Sequence, residues 1–205
     1  LLLSYALYFS APVALLWGVV LLTAAIAAFL AVAIYSLVLA PARNASTQAM
    51  LLALAALIVT AGLGLSLAAA LAGWLEIPIM TVTNLHAGWG LLGWTFLLVI
   101  GVAYQVVPMF QLTPVYPRKL TRWLAVSLFV LLLIWSAHTL LPPAAAHWLA
   151  LPGGLGLAAG ISIFAGMTLK LQWMRKRRVP DITLQFWQVG MASLLAASAL
   201  WLGGQ

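Results

Sequence analysis

Cysteine is absent from the 205 residues, which excludes disulfides, iron–sulfur clusters, thiolate zinc sites and covalent c-type haem. Acidic residues are nearly absent too: Glu76 and Asp181 are the two in the chain, and charges of both signs make up 5% of it. A soluble domain carries about 25% charged residues, so this chain has too few to clothe a water-exposed globule. Both acids fall in connections between apolar runs, which leaves no carboxylate proton relay across those runs. There is no His-Glu-x-x-His, no phosphate loop and no serine–histidine pair with a carboxylate to orient it. Hydrolysis and ATP-driven chemistry therefore have no support. The nine Lys+Arg against two Asp+Glu give +7, which in so apolar a chain reads as membrane topology and not as nucleic-acid binding.

What fills the chain is hydrocarbon. Hydrophobic residues make up 66% of it, in runs long enough to cross a hydrocarbon core of roughly 30 Å as helices. The expectation is an all-α polytopic transmembrane bundle with the lipid bilayer as its main partner. Its spans are expected at about 11–39, 49–73, 83–107, 121–141, 145–172 and 183–203. Breaker chemistry separates them: Pro41 to Asn44, Glu76 to Pro78, Pro114 to Pro117, Pro142-Pro143 and Pro180-Asp181. Residues 1–10 read as the tail of an earlier element, and the uncharged run 1–40 is long enough to hide two tightly turned spans. The chain opens at Leu1 inside an apolar run with no basic stretch ahead of it. A longer N-terminal part, even a missing N-terminal half, is expected, and no cleavable signal peptide can be argued.

Charge placement tests this division. Arg43 lies in the first connection, Arg118, Lys119 and Arg122 at the third, and Lys170 and Arg175 to Arg178 around the fifth, whereas the second and fourth hold no Lys or Arg. Such alternation makes the odd-numbered connections cytoplasmic, with residue 11 and the C-terminus outside. The Arg175-Lys-Arg-Arg178 run also suits anionic headgroups at the inner surface.

Ionisable side chains within the membrane are expensive and mark candidate sites. In this topology His86, His138 and His147 all fall in the outer half of the membrane, and all three are candidate metal ligands. At 100° per residue His86 shares a face with Gly90, Gly93, Leu97, Gly101, Tyr104 and Pro108. A histidine above a groove of glycines suits a flat macrocycle, with Trp89 and Trp94 beside it to pack on the ring. The other reading of the glycines is close helix packing through small residues. His147 repeats the pattern more weakly with Gly154, Ala158 and Ala165, and His138 and His147 also read as interfacial histidines at the Pro142-Pro143 turn. Asn84, Gln105, Gln111, Gln185 and Gln188 are candidates for bridging helices.

The segment Asn84-Leu-His-Ala-Gly-Trp-Gly-Leu-Leu-Gly93, continuing through Gly101-Val-Ala-Tyr-Gln-Val-Val-Pro108, resembles a helix of the heme–copper oxidase superfamily, which includes the nitric oxide reductases. It is also similar to NnrS-type haem membrane proteins. The resemblance implies haem b held by His86, with Gly90, Gly93, Trp89 and Tyr104 around it, in the outer half of a bacterial inner membrane. It further implies electron transfer or handling of O2 or NO, and it leaves copper open as a second metal. Two other functions compete with that one. A transporter would use helix breaks at Gly62-Leu-Gly64 and Pro152-Gly153-Gly154, and a non-catalytic assembly subunit would carry its histidines incidentally, beside other membrane subunits.

Overall fold

The computed structural model describes residues 12–40, 44–141, 143–176 and 182–204. Its helices are α1 (Pro12–Val38), α2 (Ala45–Leu71), α3 (Ile79–Gly88), a π-helical stretch (Trp89–Phe96), α4 (Leu97–Gln111), α5 (Arg118–Ala137), a 3-10 turn (His138–Leu140), α6 (Pro143–Trp173) and α7 (Ile182–Gly203). No strand occurs among the described residues. From α3 through α4 the chain is one continuous span, so six segments are long and apolar enough to cross a membrane: Val13–Val38, Ala45–Leu71, Ile79–Gln111, Arg118–Ala137, Trp148–Trp173 and Ile182–Gly203. This is the expected all-α bundle of about six spans, with boundaries moved by a few residues. The run after Pro12 is a single helix and hides no second span; residues 1–11 lie outside the described part.

The ends follow from local chemistry. Asn44 starts α2 by accepting the Thr47 N–H on its side-chain oxygen at 3.0 Å. Gly73, at φ 76°, closes α2 in the left-handed conformation a side chain would resist, while the Trp74 N–H returns to the Ala69 carbonyl. Pro117 precedes the first residue of α5. Neither Gly62-Leu-Gly64 nor Pro152-Gly153-Gly154 breaks its helix: α2 and α6 run through them. The discontinuities that a transporter reading expects at those two points are therefore not there.

Packing divides the chain into two compact units, residues 1–42 with 53–95, and residues 43–52 with 96–205. In the second unit α6 is central and packs on both α5 and α7. The α6 face toward α5 is made of glycines. A Cβ on Gly153 would lie 3.1 Å from the Trp135 backbone, and one on Gly156 or Gly160 would lie 2.6 Å from Leu131 or Leu128. Missing side chains let the backbones approach, which is how helices gain packing energy where lipid competes for every apolar surface.

One backbone bond orients the charges of this unit. The Lys176 N–H donates to the Leu112 carbonyl at 3.0 Å, so the connections after α4 and after α6 meet at one end. Arg118, Lys119 and Arg122 at the start of α5 thus share that end with Lys170, Arg175 and Lys176. Arg43, Arg177 and Arg178 lie outside the described residues.

Candidate functional site

His86 sits seven residues into α3, roughly 10 Å along the helix axis. Its ring is half-buried, and Nδ1 lies 3.0 Å from the Thr60 carbonyl on α2. A carbonyl oxygen only accepts, so Nδ1 carries the hydrogen; in the neutral ring Nε2 is then left with its lone pair. The ring has this seat because of Gly64, where a Cβ would stand 3.0 Å from the imidazole Cε1. The same two-glycine stretch that reads as a helix break in the sequence is a notch for a histidine from another helix.

His86 also lines a cavity of about 550 Å3, within the range of small-molecule sites. Leu22, Ile26 and Leu30 of α1 and Ala61 and Leu65 of α2 form much of its lining. Thr23 and Thr60 add hydroxyls, but each donates to its own helix, to the Val19 and Ala56 carbonyls. His86 is the one titratable group among the lining residues, and no Lys or Arg is with it.

The other expected site residues are distributed differently. Trp89 is buried at the first position of the π-helical stretch. Gly90 faces α2, where a Cβ would meet the Thr60 methyl at 3.4 Å, and Gly93 is buried further along. A wheel at 100° per residue does not hold here. The stretch closes wider turns, and each residue taken up beyond the α repeat rotates the following side chains by roughly 100°. Thr95, whose hydroxyl donates to the Gly90 carbonyl five residues back at 2.9 Å, lies in it. Tyr104 belongs to the second unit, as does Gly101, whose Cα faces Ser46 and Ala49 near the start of α2. Gly101 therefore serves close helix packing.

His138 occupies the 3-10 turn after α5, where Nδ1–H bonds the Trp135 carbonyl and the ring tilts against the Trp135 indole. It closes its own helix end. His147 lies in the first turns of α6, and its side chain is outside the described residues. Among the described residues no three His, Cys, Asp or Glu side chains gather as a metal-binding group, so no ligand set for copper is assembled there.

The second unit holds a polar and aromatic cluster of its own. Phe96, Tyr104, Tyr116 and Phe164 pack ring on ring, with Tyr104 and Tyr116 edge to face at 5.1 Å between centroids. The Thr168 hydroxyl donates to the Phe164 carbonyl, so Tyr116, 2.9 Å away, donates to Thr168. Beyond them Gln172 donates to Gln111 at 3.0 Å. Gln111 was expected as a bridging residue; Gln172 was not, because it reads as one more polar residue beside Lys170 and Trp173. Three buried polar atoms in this cluster lack a partner: the Tyr104 hydroxyl, the Gln111 amide nitrogen and the Gln172 amide oxygen.

Tyr116 lies in the connection after α4, and burial pushes its phenol up to about 12, against the lowering effect of its bond to Thr168. An unfolded tyrosine loses its proton near 10.0, so above that pH the unfolded chain holds fewer protons than the folded one. Stability from this group is complete below pH 10 and is lost as pH rises toward 12. Alkaline unfolding followed by circular dichroism should show that decline, and Tyr116→Phe should make it shallower. An unchanged slope in the variant would remove Tyr116 as its source.

No family model matches this chain, and no curated protein or solved structure matches it.

Proposed function

We propose that this multi-pass membrane protein holds a b-type haem in the apolar cavity of its first unit, with His86 Nε2 as the axial ligand. The carrying observation is the Nδ1–H bond from His86 to the Thr60 carbonyl. Histidines that bind metals nearly always donate their other ring N–H to a carbonyl or carboxylate, which fixes the tautomer and raises the basicity of the ligating nitrogen. A cavity of about 550 Å3 with apolar walls suits the ring. The resemblance of the Asn84 to Gly93 segment to a heme–copper oxidase helix supplies the identity of the macrocycle. The fit extends to ring and iron: no basic side chain lines the cavity to pair with propionates.

In this reading Gly64 and Thr60 hold the imidazole, and the leucines and isoleucine of α1 and α2 exclude water. When bound, the haem supplies an iron that carries one electron or takes a small gas. Among the described residues His86 is the one histidine lining the cavity, so it would hold the haem there, and handling of electrons or of a small gas such as O2 or NO is the activity that follows. The test is an absorption spectrum of the purified protein, oxidised and dithionite-reduced; a Soret band supports the reading, and its absence overturns it.

The orientation belongs to the same proposal, in a bacterial cytoplasmic membrane with His86 toward the outer side. Because the chain has no cysteine, single introduced thiols report cleanly. Glu76 and Val115 are both exposed. Glu76→Cys should react with an impermeant maleimide applied from outside, and Val115→Cys only after permeabilisation; the reverse pattern inverts the topology.

A further inference from the structure

A second pocket opens where α6 ends, in the unit without His86. It measures about 450 Å3 and is lined by Leu169, Gln172, Trp173, Arg175 and Gln188. Gln172 is 2% exposed and belongs to the amide pair in which one nitrogen and one oxygen lack partners. Arg175 stands just past the helix, with its backbone N–H on the Gln172 carbonyl. The next residue, Lys176, is tied to Leu112, so the guanidinium hangs from a pinned turn.

The charge around this pocket is one-sided. Lys170, Arg175, Lys176, Arg118, Lys119 and Arg122 gather at this end, while Glu76 belongs to the other unit and Asp181 lies outside the described residues. Trp173 is 91% exposed, and indoles so placed on membrane helices sit at headgroup level. A guanidinium and an exposed carboxamide at headgroup depth match the oxygens of a phosphate.

We propose that this pocket binds the phosphate of an anionic phospholipid headgroup, with Arg175 as the charged contact, Gln188 as a neutral donor and Trp173 against the glycerol region, over a floor that includes the buried Gln172. This goes beyond diffuse attraction of a basic loop to the membrane, because it assigns the contact to one arginine out of the six cations at this end among the described residues. It is independent of the haem reading.

The test uses the full chain, delipidated in neutral detergent and titrated with phosphatidylglycerol or phosphatidylcholine, with occupancy read by native mass spectrometry. Phosphatidylglycerol should bind about five- to tenfold more tightly than phosphatidylcholine. Arg175→Gln should remove that preference, Gln188→Leu should weaken binding severalfold, and Arg118→Gln, an exposed cation at the same end, should leave it unchanged. Arg175 stands beyond the end of α6 and Gln188 is an exposed residue of α7, and a melting curve verifies that each variant is folded. Equal losses from Arg118→Gln and Arg175→Gln would reduce the site to diffuse attraction and overturn the proposal. Displacement of the lipid by millimolar inorganic phosphate would overturn the lipid assignment, since a free anion would then be the ligand.

Discussion

A His86→Ala protein is expected to fold, insert and purify, and to show no Soret band. The histidine is half-buried and makes one hydrogen bond, to the Thr60 carbonyl, so its removal costs stability on the order of 1 kcal/mol, within reach of a bundle of six spans. Its effect on a haem is total, because no other titratable side chain lines the cavity. The neighbouring glycine separates a ligand from a bystander. Gly64→Ala keeps the imidazole but puts a methyl 3.0 Å from its Cε1, so the ring must give by a few tenths of an ångström and its bond to the Thr60 carbonyl is strained. That disturbance of the orienting bond should weaken haem binding by up to about 10-fold while leaving the melting temperature nearly unchanged. If His86→Ala retains its full haem complement, the ligand lies elsewhere and His147 is the first residue to replace.

The second large effect is structural. Gly153→Leu should destabilise the α5–α6 pair by about 3 kcal/mol, at the upper end of overpacking costs. A Cβ there already meets the Trp135 backbone at 3.1 Å, and backbone in a helix has nowhere to go. Gly156→Ala and Gly160→Ala should cost less although their contacts are shorter, because there the obstructing atoms are the ends of the Leu131 and Leu128 side chains, which change rotamer. Thermal unfolding in one detergent ranks the three, and equal losses would show that the glycine face yields as a whole.

The spans were legible because each is a long apolar run with charge at most in its end turns, closed by proline, glycine or a charge, and the hydrocarbon core admits no other reading of such a run. The basic residues were legible for the same reason: Lys176 meeting Leu112 joins the two connections that their spacing had assigned to one side. The site was less so. His86 stands out as an ionisable residue inside an apolar run, but its seat at Gly64 and Thr60 lies on a helix distant in sequence, and nothing near His86 points to it. The π-helical stretch was hidden for a different reason. Its residues, Trp89 to Phe96, have ordinary helix composition, and a wider turn changes hydrogen-bond partners without changing residue types. Counting at 100° per residue therefore does not carry unchanged through Trp89 to Phe96. Gln172 was missed because only its partner Gln111, 61 residues away, reveals it as buried.

The scarcity of charge inside the spans has an electrical consequence. A membrane potential does work of about 2.3 kcal/mol per elementary charge per 100 mV, and voltage-driven proteins collect that work on arginines or carboxylates carried across the field. Here the six spans hold no acid at all, and their Lys and Arg stand in the end turns of α5 and α6, already at the edge of the field. Movement of these six helices would transfer almost no gating charge. Whatever charge arrives beside His86 would meet the potential without a counter-charge from the spans, and the energy of placing it there would follow the polarisation of the membrane directly.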